Sequence, residues 1–116
     1  MLDRENRMWI VDWEAPLLAP KERDLKFVIG TALGESMEPC VKLFFQGYGT
    51  TEIDPVALAY YWYEWALQDI GEYGERVYLM PGLGDADKAK ALRRFQGLFE
   101  PGNTVEAAFA SDRGLH

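Results

Sequence analysis

A short apolar run near the start of the chain leads straight into an acidic residue, and three-four spacing then governs most of the remaining length. From Met8 the order Met-Trp-Ile-Val-Asp-Trp-Glu places Met8, Ile10 and Asp12 on one face of an extended segment and Trp9, Val11 and Trp13 on the other. That pattern predicts a strand anchored on both sides, with Asp12 at its mouth. The polar cluster Asp3-Arg4-Glu5-Asn6 before it predicts a turn, so the stretch reads as a short strand or hairpin. Pro20 suits the first position of a helix from Lys21 to about Ile29, striped by Leu25, Val28 and Ile29. Residues 30–51 are punctuated by glycine around the apolar run Val41-Lys-Leu-Phe-Phe, and predict a connection holding one short helix or strand. Their glycines lack the following Gly-Lys-Ser/Thr of a phosphate loop, and turn chemistry explains them better.

The strongest periodic signal predicts a helix from about Pro55 to Met80. Asp54 is a good N-cap, Pro55 suits the first helical position, and Ile53 with Leu58 has the spacing of a hydrophobic staple. Val56, Tyr60, Tyr63, Leu67, Ile70 and Val77 define the face expected to be buried. Glu64, Gln68, Glu72 and Glu75 form a polar face, with Trp62, Trp65, Asp69 and Tyr73 between the two. Pro81-Gly82 ends the pattern. Asp85 can cap a second helix to about Phe99, with Leu92, Phe95 and Phe99 inward and Lys88, Lys90, Arg93 and Arg94 in water. Asn103 with Glu106 resembles a capping box for a last short helix. The expected fold is mainly α with a short β-strand or hairpin at the N-terminus, an α+β class, in a single domain over residues 1–116.

Composition narrows the partners. The 116 residues are 48% hydrophobic and 14% aromatic, enough for a small core, and carry a formal net charge of -7. That charge leaves no overall basic footprint for nucleic acid or an anionic membrane surface, and favours cationic ligands. Cys40 is the sole cysteine and His116 the sole histidine, so neither a disulfide nor a Cys- or His-based zinc cluster forms within the chain. A charged N-terminus and the lack of a long apolar run lead to an expected cytoplasmic location.

Two constellations are candidates for chemistry. Asp12 at a strand end is placed like a ligand- or metal-binding carboxylate, the alternative being a residue that starts a turn. Trp62, Trp65, Asp69, Glu72 and Tyr73 combine aromatic faces with carboxylates, a mixture suited to ammonium-bearing compounds; the alternative is ordinary core beside a solvated face.

Val11-Asp12-Trp13-Glu14, the pair Asp24-Leu25, and the run from Asp54 through Glu75 resemble the aminoglycoside phosphotransferase family, in its spectinomycin-type branch. The resemblance extends from Arg7 to Asp112. It implies the C-terminal part of a protein-kinase-like large lobe, from an enzyme that moves a phosphoryl group from ATP to an alcohol. It also implies that Asp12, with Glu14 as a further ligand, holds Mg²⁺, and that Asp24 braces the catalytic loop. Asp69, Trp65, Glu72 and Tyr73 would then lie on the acceptor side. The family's His-Gly-Asp-x-His-x-x-Asn loop, glycine-rich lid and strand lysine do not occur in these residues. The chain is therefore expected to be a partial enzyme, inactive alone and binding neither Mg²⁺ nor ATP tightly, whose partners are a complementing N-terminal lobe or a second copy, and a cationic small molecule. The rival expectations are a non-catalytic binding module and a self-associating helical protein.

Overall fold

The computed structural model describes residues 3–9, 16–30 and 39–115. Five α-helices follow one another among them: α1 (Glu22–Ile29), α2 (Pro39–Tyr48), α3 (Pro55–Tyr78), α4 (Asp85–Gly97) and α5 (Thr104–Asp112), with a closing 3₁₀ turn at Arg113–Leu115. The expected α+β class is corrected to helical, since no strand occurs among the described residues. The predicted turn at Asp3–Asn6 does form, closed by Asn6 N–H to the Asp3 carbonyl at 3.1 Å. Its carboxylate accepts from the Glu5 and Arg7 amides and from Trp9 Nε1, each at 2.9 Å. Beyond the turn Met8 makes only an isolated bridge, and residues 10–15, the centre of the expected strand, lie outside the described residues. Alternation creates two usable faces, but a ladder also needs a partner strand, and an isolated two-stranded hairpin is marginal in water.

The signals that open α3 act as read. The Asp54 carboxylate accepts from the Val56 and Ala57 amides at 2.9 and 3.3 Å, and Pro55 occupies the first turn. Ile53 packs on the same cluster that holds Leu58, which makes the staple. At the other end the Leu79 and Met80 amides both donate to the Glu75 carbonyl, and Pro81-Gly82 follows. Gly84, rather than Asp85, is the N-cap of α4; Asp85 is its first helical residue, where a carboxylate favours the positive end of the helix dipole. Asn103 caps α5 by accepting from the Thr104 amide at 2.8 Å, while Glu106 reaches back to the Gly102 amide. Gly102 has φ of 81°, a left-handed turn that glycine adopts without Cβ strain.

Helix α3 is the hub. At about 1.5 Å per residue its 24 residues span roughly 36 Å, and α1, α4 and α5 all pack against it. Leu25 and Ile29 of α1 meet Leu58 of α3, with Phe45 of α2, Ile53 and Trp62 closing over them. Farther along, Ala59, Tyr61 and Ala66 of α3, Ala91 and Leu98 beside α4, and Ala108 of α5 are buried. The face expected to be inward is corrected as well, because Val56, Tyr60 and Leu67 are 63%, 61% and 68% exposed. Small side chains at Ala59, Ala66 and Gly74 let neighbouring helices approach, and a Cβ at Gly74 would sit 3.5 Å from the Phe95 ring. The inner face of α4 shifts likewise: Leu92 and Phe99 are exposed, and Ala91 and Leu98 lie inward.

The molecule is open for its size. Its radius of gyration is 17.1 Å, against about 13 Å for a compact domain of similar length. Its accessible surface is 9118 Å², against about 6,400 Å² for a typical folded monomer of this mass. Among the described residues no helix is long and apolar enough to cross a membrane.

Candidate functional site

The acceptor-side residues drawn from the sequence, Trp65, Asp69, Glu72 and Tyr73, occupy one flank of α3, and that flank is held by its junction with α1. Glu22, 2% exposed, accepts the Asp54 amide at 3.0 Å and Lys21 Nζ at 2.8 Å, so the start of α3 is pinned to the start of α1. Burial alone would raise the Glu22 pKa; the hydrogen bonds from Lys21 and Asp54 outweigh it and leave the carboxyl below its usual range. Farther along α3, Glu64 lies 3.8 Å from Arg23 of α1.

Trp65 belongs to this junction. Its ring meets Phe27 edge to face at a centroid distance of 5.0 Å, and Lys26 Nζ lies 5.0 Å from the Trp65 centroid and 4.4 Å from that of Phe27. Lys26 is 3% exposed and makes no ion pair among the described residues; burial pushes its pKa down. The aromatic face expected to meet an ammonium ligand thus already holds an ammonium belonging to the chain.

Asp69, the next residue along the flank, is half-buried. Burial, then the nearby Glu72 carboxylate, raises its pKa. It makes no ion pair among the described residues. Glu72 is engaged by Arg76 at 2.6 Å, and the Arg76 guanidinium lies 5.9 Å from the Tyr73 ring. The structure therefore brings Trp65, Asp69, Glu72 and Tyr73 onto one flank, spread over about 12 Å of helix. Of the two carboxylates on this flank, Glu72 is paired with Arg76 and Asp69 has no ion pair among the described residues.

Asp24 stands exposed in the first turn of α1. Asp12 and Glu14 lie outside the described residues. Carboxylate oxygens are the ligand type that Mg²⁺ takes, yet among the described residues no group of three or more His, Cys, Asp or Glu converges as a metal site.

Sequence reasoning missed Glu22 and Lys26, two charged residues buried where α1 meets α3. It also missed a cleft of about 460 Å³ between the C-terminal end of α3 and α4, where Tyr73 and Arg76 face Lys90 and Arg94. Asp87, Lys90 and Arg94 recur at three- and four-residue spacing on α4, which was the available signal. No family model matches the chain, and neither a curated protein nor a solved structure does.

Proposed function

We propose that this chain supplies the acceptor-side helices and the Mg²⁺-binding carboxylate segment of an ATP-dependent phosphotransferase that acts on an alcohol group of a cationic, aminoglycoside-type compound. The observation that carries the reading is Asp69, a half-buried carboxylate whose pKa is raised by burial and by Glu72 and which has no cationic partner of its own. An ammonium group brought beside it would relieve both effects. The reading is also supported by the packing of the two stretches that carry the family resemblance: Asp24-Leu25 in α1 and the run from Asp54 in α3 lie against one another through Leu25 and Leu58.

In this reading Asp12, with Glu14 as a further ligand, would hold Mg²⁺, which would supply charge neutralisation for phosphoryl transfer. Asp24 braces a catalytic loop contributed by a complementing lobe, which also brings the general base and the phosphate lid. These 116 residues contain no His-Gly-Asp sequence. ATP-dependent phosphorylation of a panel of aminoglycosides by the chain alone should therefore be absent, and turnover should appear when a lobe bearing that loop is added. In the complemented enzyme Asp12→Asn should lower turnover by about 10²–10³-fold, as when a charge-stabilising group is lost from the reacting centre. Asp69→Asn should raise the acceptor KM about tenfold and leave the ATP KM unchanged. Turnover by the isolated chain would refute its incompleteness, and an unchanged rate for Asp12→Asn would remove Asp12 from the metal role.

The second reading, a self-associating helical module, is favoured by the exposed stripe of Val56, Tyr60 and Leu67 along α3. Apolar area of this kind, once covered, contributes about 25 cal/mol per Å² before association costs. Sedimentation equilibrium should then show a monomer-dimer equilibrium that Leu67→Glu shifts to monomer. A single monomeric species at high micromolar concentration would rule this reading out.

A further inference from the structure

The chain average conceals a local reversal of charge. Of its 12 Lys and Arg, five fall between Arg76 and Arg94, although the formal net charge is -7. Three of these, Arg76, Lys90 and Arg94, converge on the cleft between the end of α3 and α4. Arg76 is oriented by Glu72 at 2.6 Å and lies near the Tyr73 ring. Lys90 and Arg94 make no ion pair among the described residues. The cleft also has an organic lining: the Tyr73 ring, Met80, Leu83 and the buried Ala91. Its volume of about 460 Å³ lies within the range of small-molecule sites.

The geometry points to this cleft as a binding site for a small phosphate monoester with a hydroxyl-bearing body, such as a phosphorylated sugar. The Arg94 guanidinium and Lys90 ammonium, with the Arg76 N–H groups that Glu72 does not take, supply the donors that a dianionic phosphate takes, and guanidinium matches phosphate oxygens in pairs. Asp87 sets the orientation. It precedes Arg94 by two turns of α4, roughly 10 Å along the axis. A carboxylate there repels a second anionic group and accepts hydrogen bonds from hydroxyls, so the phosphate lies towards Arg76 and Arg94 and the uncharged body towards Asp87. The inference stands apart from the phosphotransferase reading, since it invokes neither Asp12 nor Asp69, and either can fail alone.

Titration of the ¹⁵N-labelled chain with glucose 6-phosphate, inorganic phosphate and glucose tests it by amide shift changes. Glucose 6-phosphate should bind saturably below about 10 mM, more tightly than phosphate, with the largest changes at Arg76, Asp87, Lys90 and Arg94, and glucose should not bind. Lys90→Ala with Arg94→Ala should weaken glucose 6-phosphate at least about tenfold without lowering Tm, because both residues are exposed. Lys42→Ala with Arg113→Ala removes the same charge away from the cleft and should leave binding unchanged. Asp87→Asn should erase the advantage of glucose 6-phosphate over phosphate. Equal weakening by both double variants would reduce the effect to net charge and overturn the site. So would the lack of saturation, or binding by an RNA or an acidic protein in place of the monoester.

Discussion

Leu58→Ala is expected to destabilise the fold by about 3–5 kcal/mol, the cost of removing a fully buried leucine where the surroundings close only partly around the cavity. Leu58 is 0% exposed, in the first turns of α3, and touches the cluster to which α1, α2 and the segment before α3 all contribute. Leu25 and Ile29 come from α1, whose backbone is fixed by its own helix and by Glu22, so neither can follow a receding side chain far. A domain holds only about 5–15 kcal/mol in total, so the loss would consume a large part of it. Urea unfolding followed by circular dichroism gives the measurement. Leu58→Met, which keeps the volume, should cost under about 1.5 kcal/mol. Leu67→Ala, on the exposed side of the same helix, should stay within about 0.5 kcal/mol. A Leu58→Ala cost as small as that of Leu67→Ala would mean that the α1–α3 cluster is not the core.

Glu22→Ala should cost about 1.5–3 kcal/mol, because it strips a buried charged acceptor from the Asp54 amide and from Lys21. Glu22→Gln should cost less, since its amide oxygen still accepts the Asp54 N–H. The pH dependence separates the two contributions. Hydrogen bonds hold the Glu22 pKa below its usual value against the opposing effect of burial. Its stabilisation is therefore complete above the unfolded-state pKa of about 4.3 and is lost as pH falls through the lower folded value. Unfolding midpoints between neutral pH and strong acid should show a steeper acid loss for the natural chain than for Glu22→Gln. Parallel acid limbs would exclude Glu22 as a source of that loss. Lys21 is 40% exposed at its side chain, so salt should weaken its share while leaving that of the Asp54 amide.

Where α3 and α5 begin was legible, because Asp54-Pro55 and Asn103 act within a turn or two of themselves. The other starts were less so: Pro20, expected at the first helical position, lies before the cap Lys21, Gly84 rather than Asp85 caps α4, and the start of α2 at Pro39 carried no signal that was read. Which side of a helix faces inward was less legible. On α3 the apolar residues Val56, Leu58, Tyr60, Tyr61, Trp62, Tyr63, Trp65 and Leu67 cover most of the circumference, so the three-four rule admits more than one stripe. Packing selected the side with Ala59, Ala66 and Gly74, where helices can come close, over the side with bulkier residues. The expected strand failed for a related reason: alternation is local, whereas a ladder needs a partner that the pattern does not name. The placement of Asp69 beside Trp65, Glu72 and Tyr73 could be read from spacing on one helix. Glu22 could not, since the group that makes it structural, the Asp54 amide, lies 32 residues away. The Lys90–Arg94 cleft was hidden by averaging, because a net negative chain does not suggest a cationic groove.

The excess accessible surface also shapes how the protein responds to denaturant and temperature. Measured against an extended chain of this mass, 9118 Å² of remaining surface means that folding removes about one-fifth less area from water than in a typical monomer. The urea m-value and the heat capacity of unfolding both scale with that area, so both should fall short of the values usual for 116 residues by a similar fraction. The stability curve is correspondingly flatter, and cooling gives back less of the hydrophobic driving force than it would in a compact domain of equal length.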